Sequence, residues 1–195
     1  ARGRSITARE LLDQGAERVE RDLKDQPLTQ AQLMETIGGV YNGLGLYDRA
    51  RALIDRALLI RRELLGEESL EVADCLQSLA GPAASEGRAT EALELHKRAL
   101  AIQEKLLPPH DPRIGRTLHA MGNRYWALGD FDRATSHIQK ALAIYEKSFG
   151  TDSPNVLQCV NDLANVRATA RDYEGAKPMH ERRLKISEAT LPTDH

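Results

Sequence analysis

Apolar and small residues return at three- and four-residue steps along most of the chain. Leu118, Met121, Gly122 and Tyr125 fall on one face of a helix, and Ala134, Ile138, Ala141, Leu142 and Tyr145 on one face of the next. Gly129-Asp130 stands between them as a helix stop. The pattern then repeats with a step of 42 residues. Gly45, Gly87 and Gly129 keep this step, with Arg171 in the fourth place. Ala50, Ala92, Ala134 and Ala176 keep it in all four copies, as do Leu58, Leu100, Leu142 and Leu184.

The units are expected at 28–69, 70–111, 112–153 and 154–195, each with a helix A and a helix B. The eight helices are expected near 28–44, 48–65, 70–86, 90–107, 112–128, 132–149, 154–170 and 174–190, with no strand. Ser69, Asp111-Pro112 and Ser153-Pro154 supply helix-start signals between units. Gly122 and Ala134 are small where A and B cross, and Tyr125 and Phe131 fill the space alongside. Residues 1–27 carry a fainter copy: ARELLDQ at 8–14 aligns with ARALIDR at 50–56. A leading helix near 6–24 is therefore expected, a helix B without its helix A, with Thr7 and Glu10 as a capping box. Its expected role is to cover the first repeat.

Small-residue, aromatic and glycine placement in these two-helix units resembles the tetratricopeptide repeat. The 42-residue step, with a long helix B ending ALAIQEKLLPPHDP or ALAIYEKSFGTDSP, is similar to the kinesin-light-chain type of that repeat. The resemblance covers residues 28–195 and implies an all-α, right-handed α-solenoid of antiparallel helix pairs. The segment ITARELLDQGAERVERDLKDQP followed by YNGLGLYDRA also resembles the repeat region of some bacterial serine/threonine kinases. Repeat 2 departs from the pattern: Pro82 is expected in the middle of its helix A, and Ala83 and Ala89 replace aromatics. An interior proline costs about 3 kcal/mol. In repeat 4, Arg167 takes the tyrosine position and Arg183 the place of Ala57, Ala99 and Ala141. Looser packing of repeat 4 is expected from this.

Composition narrows the function. Charged residues are 29 % of the chain, aromatics 4 %, and the net charge is −2. No basic surface for nucleic acid or anionic membrane is implied. No apolar run approaches the roughly 20 residues of a membrane span. Two cysteines are too few for a disulfide framework, so a cytoplasmic setting is expected. The chain opens with Ala-Arg-Gly and reads as a piece of something longer. Six scattered histidines show no metal-ligand spacing, and Cys75 and Cys159 read as buried thiols, too far apart along the array to pair. No nucleophile motif or phosphate loop is present, so a non-catalytic chain without metal or cofactor is expected.

The remaining candidate is the outer stripe of helix A at i, i+3, i+7 and i+10. It runs Gln32, Glu35, Gly39, Asn42 in repeat 1 and Asp74, Gln77, Gly81, Ala84 in repeat 2. In repeats 3 and 4 it runs Arg116, His119, Asn123, Trp126 and Gln158, Asn161, Asn165, Ala168. The family resemblance implies that this face lines a peptide groove. Asn and Gln amides can both donate to and accept from a peptide backbone, and Trp126 is the type of residue that anchors interfaces. A carboxylate clamp of the kind some repeat proteins of this family carry is not expected, because Glu35, Gly39, Ser78, Arg116 and Ala120 stand at the places where it presents Lys and Asn, and only the arginine could serve. The function expected is protein or peptide binding within a larger signalling protein. The alternatives are a regulatory segment of a kinase and a structural oligomerisation array. Because Arg183, His180 and Thr190 make the last helix polar, the fragment itself is expected to be a monomer.

Overall fold

The structure, a computed structural model, describes residues 7–190. Residues 1–6 and 191–195 lie outside the described residues, as does the side chain of Thr190. Nine helices and no strand occur among the described residues. They are α1 (Ala8–Asp22), α2 (Pro27–Gly43), α3 (Tyr47–Leu65), α4 (Leu70–Ser85), α5 (Ala89–Leu106), α6 (Pro112–Ala127), α7 (Phe131–Phe149), α8 (Pro154–Thr169) and α9 (Tyr173–Thr190). No helix end differs by more than two residues from its expected place. The caps explain the agreement. Ser69, Asp111 and Ser153 each accept a backbone N–H of the first helical turn, and Pro112 and Pro154 follow at the first position. Thr7 and Glu10 form the expected capping box of α1.

The helices fall into two compact units, the first ending at Arg88 and the second starting at Ala89. In the first, α2 packs against α3, and both against α4, around Met34, Tyr41, Ile54, Leu58, Val72 and Leu76. In the second, α6–α7 and α8–α9 form the hairpins around Met121, Tyr125, Ile138, Leu142, Val156, Leu163 and Val166. Each fully buried Ile or Leu here contributes about 1.5–3 kcal/mol by leaving water. Gly122 answers to geometry. A methyl group added there would lie 2.5 Å from Ile138 Cγ1 and 3.1 Å from the Ala134 carbonyl. Gly38 meets Ile54 and Ala50 in the same way, at 2.6 and 3.1 Å.

A hydrogen-bonded polar pair fourteen residues apart sits at the α3–α4 junction and at the α5–α6 junction. Arg61, 6 % exposed, donates to Cys75 Sγ at 3.1 Å, to the Glu71 carbonyl at 2.9 Å and to Glu35 at 2.6 Å. One period on, Thr117 Oγ1 donates to Gln103 Oε1 at 2.7 Å. Next comes Tyr145 beside Cys159.

Three expectations need correction. Pro82 lies in the last turn of α4, not its middle, and the helix runs on past it, with the Glu86 N–H reaching the Pro82 carbonyl at 3.0 Å. Only part of repeat 4 is loose. In α8, Cys159, Val160, Leu163, Ala164 and Val166 are nearly or fully buried, while α9 exposes Tyr173 and Leu184. Lastly, α1 covers only one side of α2. Polar anchors hold it there: Gln30 Nε2 donates to the Val19 and Glu20 carbonyls, both at 3.1 Å, Tyr41 donates to Asp13, and Arg49 and Arg56 pair with Asp13 and Glu20. Leu33, Val40 and Leu44 on α2 stay 38 %, 44 % and 52 % exposed.

Candidate ligand-binding face

Helix A presents its outer stripe at angles set by the 100° helical step, away from the side that packs on helix B. In the first unit this stripe comes from α2 and α4. Glu35 sits on it, but its carboxylate is occupied by Arg61 on one side and Ser78 Oγ, at 2.6 Å, on the other. Asn42 is half-buried and leans on Gly81, where an added methyl group would meet Asn42 Nδ2 at 3.2 Å. Asp74 and Gln77 are half-buried on α4. Asn42 Oδ1 and Gln77 Nε2 have no hydrogen-bond partner inside the protein.

In the second unit the stripe comes from α6 and α8. His119 is buried, and its Nε2 lies 2.7 Å from Asp162 Oδ2. Glu35–Ser78 and His119–Asp162 are the same step, 43 residues, between successive A helices. These two candidates therefore hold neighbouring helices together. Asn161 accepts from Arg183 at 3.2 Å, Arg116 is exposed, and Asn165 is half-buried. Trp126 is partly buried against the core of this unit, and Asn123 Oδ1 has no partner inside the protein.

Sequence reasoning missed Arg61, Ser78, Asp162 and Arg183 as partners on these faces. The 43-residue spacing of an acid to a hydroxyl, and of a histidine to an acid, was the available signal. Nucleophilic chemistry has no support at either thiol. Cys75 and Cys159 are free and buried, and burial pushes both up to about 12, with Arg61 pulling Cys75 the other way. Among the described residues, no group of three His, Cys, Asp or Glu could hold a metal ion, and no helix is long and apolar enough to cross a membrane.

Paired A and B helices, small residues at their crossings and polar pairs at their junctions define a helical-repeat scaffold. The tetratricopeptide repeat profile matches residues 29–105, 83–147 and 114–189. The chain belongs to the tetratricopeptide repeat family, whose members are interaction scaffolds. No curated protein matches the sequence. Among solved structures it is similar to BtubC (BKLC) from P. vanneervenii, with 24 % identity, TM-score 0.81, and coverage of 96 % of this chain and 76 % of that one. It is also similar to the nearly identical TPR-like repeats of a putative kinesin light chain from Podosopora anserina, with 22 % identity, TM-score 0.75, and coverage of 94 % and 87 %. A third is a Rap protein complexed with competence and sporulation factor, with 20 % identity, TM-score 0.74, and coverage of 91 % and 48 %. At these identities the likeness is one of fold.

Proposed function

We propose that the chain binds a segment of another protein along the outer stripe of its A helices, without chemistry of its own, and recruits that partner to a larger signalling protein. The observation that carries this is the row of half-buried amides on the stripe, Asn42 and Gln77 in one unit and Asn123 and Asn165 in the other, the last two on the same face as Trp126. The accessible part of such an amide can donate to or accept from an incoming peptide backbone. Family membership supports the reading, and a fold relative has been captured with competence and sporulation factor. The free, buried thiols fit a reducing, cytoplasmic setting.

Charge suggests what each unit by itself would favour. Residues 7–88 hold ten Lys and Arg against fifteen Asp and Glu, whereas 89–190 hold fifteen against thirteen. A basic segment would suit the stripe of the first unit, and an acidic one the surroundings of Arg116 in the second. The test is a peptide array probed with the wild-type chain, then with Trp126→Ala and Asn123→Ala. Trp126→Ala is expected to weaken binding by about 1–3 kcal/mol with helicity unchanged. If both variants keep every wild-type ligand, this face is not the binding site.

A further inference from the structure

Two of the four repeats build the same side-chain frame beside the turn between helix A and helix B. In repeat 1, Tyr41 lies in the last turn of α2 and Arg49 in the first turn of α3. The Arg49 guanidinium lies over the Tyr41 ring, 5.8 Å from its centroid. In repeat 3, Tyr125 and Arg133 hold the same places, and Arg133 lies over the Tyr125 ring at 5.7 Å. The backbone around the two tyrosines also agrees. Leu46 N–H donates to the Tyr41 carbonyl and Asp130 N–H to the Tyr125 carbonyl, both at 2.9 Å. Repeats 2 and 4 lack the frame: they have Ala83 with Glu91, and Arg167 with Gly175.

What the frame holds is seen in the first unit. The Tyr41 hydroxyl and the Arg49 guanidinium both donate to one oxygen of Asp13, on α1. Hydrogen bonds to a charged acceptor are strong ones, and together these hold the Asp13 carboxyl below its ordinary pKa, Tyr41 first and Arg49 second. In the second unit the residue two periods after Asp13 is Lys97, on α5, so an acceptor has become a cation. Its ammonium donates to Glu94 at 2.7 Å, and it is close enough to Tyr125 and Arg133 for their charges to act on it. Arg133 pairs with Asp130 at 3.3 Å. Both pairs join residues three apart at the surface, where such bridges hold weakly. Neither acid reaches the Tyr125 hydroxyl, which has no acceptor among the described residues. His137 replaces Leu53 beside the frame, its ring 4.9 Å from that of Tyr125. A carbonyl can only accept, so His137 Nδ1–H donates to the Arg133 carbonyl at 2.8 Å, which fixes the ring.

We propose that Tyr125, Arg133 and Lys97 bind a carboxylate that the chain itself does not supply, the side chain of an aspartate or glutamate on a segment of another protein. The incoming oxygen takes the place that an Asp13 oxygen takes in the first unit. It accepts from the tyrosine hydroxyl and the guanidinium, and the Lys97 ammonium adds a second positive charge. The site is open: the side chains of Lys97 and Arg133 are 44 % and 68 % exposed. Small free ligands are held in enclosed clefts, whereas a protein segment brings flanking contacts that keep its carboxylate in an open place. Both cations belong to B helices, so this site is separate from the outer stripe of the A helices and does not rest on it.

An NMR titration of the 195-residue chain with a capped Gly-Asp-Gly-Asp-Gly peptide tests it. The Tyr125 and Arg133 side-chain signals are expected to shift and to saturate at about 0.1–5 mM peptide, the range suited to a few charge-assisted contacts. Lys97→Asp rebuilds the first-unit arrangement with the chain's own carboxylate and should weaken binding at least about tenfold, with unchanged circular dichroism. Arg133→Gln should do the same, and Tyr125→Phe should cost at least about threefold. Lys147→Asp makes the same charge change at the far end of α7 and should leave the affinity within about twofold. No shift at Tyr125, an equal response to the same peptide with Asn in place of Asp, or equal losses from Lys147→Asp and Lys97→Asp would overturn the proposal. So would acetate or inorganic phosphate binding as tightly as the peptide, since the site would then be one for a free anion.

Discussion

Arg171 holds, with φ 63°, the left-handed turn that Gly129 holds with φ 79° one period earlier. The hydrogen bonds around the two are the same. Gly129 N–H donates to the Trp126 carbonyl at 2.9 Å and Arg171 N–H to the Ala168 carbonyl at 3.0 Å. The following Asp130 and Asp172 close the turn onto Tyr125 and Arg167, both at 2.9 Å. The turn is thus imposed by the fold, and a side chain with a Cβ sits in a conformation that disfavours it. Arg171→Gly is expected to stabilise the chain by about 0.5–1 kcal/mol, the relief of the turn being partly offset by the greater freedom of glycine when unfolded. A thermal melt would register this as a rise of about 1–3 °C.

Glu35 and Arg61 form a different kind of test. Arg61 is almost wholly buried, so removing its carboxylate partner strands a charge in the interior. Glu35→Ala should cost about 2–4 kcal/mol in urea unfolding. Adding Arg61→Met should recover most of that loss, because the stranded charge is gone. A double variant no more stable than Glu35→Ala alone would show that the pair is not what the carboxylate supports.

Acid should weaken the fold through His96. Burial, aided by the charge of Arg124, lowers its pKa from 6.5 to about 4. The unfolded chain takes up a proton near pH 6.5 that the folded chain refuses until about pH 4. Stability therefore falls as pH drops through that window, by about 2–3 kcal/mol at pH 4.5 from this residue. Denaturant unfolding of the wild type and of His96→Gln at pH 7 and pH 4.5 would show a smaller pH effect in the variant.

Amide exchange should be uneven between equivalent turns. The turn after α4 closes with the Arg88 N–H on the Ala83 carbonyl at 2.8 Å, as Asp130 closes on Tyr125 after α6. Yet Pro82 withholds a donor from the last turn of α4, and the division into two units falls at Arg88. Exchange is expected to be faster over residues 83–88 than over 125–130. Equal protection would contradict this.

The helices were legible because caps and apolar spacing act locally: Ser153 and Pro154 start α8 whatever else surrounds them. The partition of the A-helix stripe was not legible. Glu35, His119 and Asn123 look alike as polar residues on one face. What separates them is a partner 26 to 43 residues away, Arg61 and Ser78 for one and Asp162 for another. The open face of α2 was masked for a related reason. Matching ARELLDQ to ARALIDR identifies α1 as a helix B, but the uncovered Leu33 and Val40 emerge only once α1 is seen to lie to one side.

The fourteen-residue pairs make the repeats non-interchangeable. Shifting the chain by one period would keep many apolar residues facing apolar neighbours, since Leu58, Leu100 and Leu142 are the same. It would, however, set Arg61 against Thr117 and Gln103 against Cys75 or Cys159. A buried guanidinium would then lose its thiol and the Gln103 amide oxygen its hydroxyl donor, with Glu35 left on the wrong side of the break. The apolar period sets spacing, and these pairs assign each unit an address. Slipped or unit-swapped foldings, and genes in which one unit has been copied in tandem, therefore begin at a disadvantage that the apolar pattern by itself would never impose.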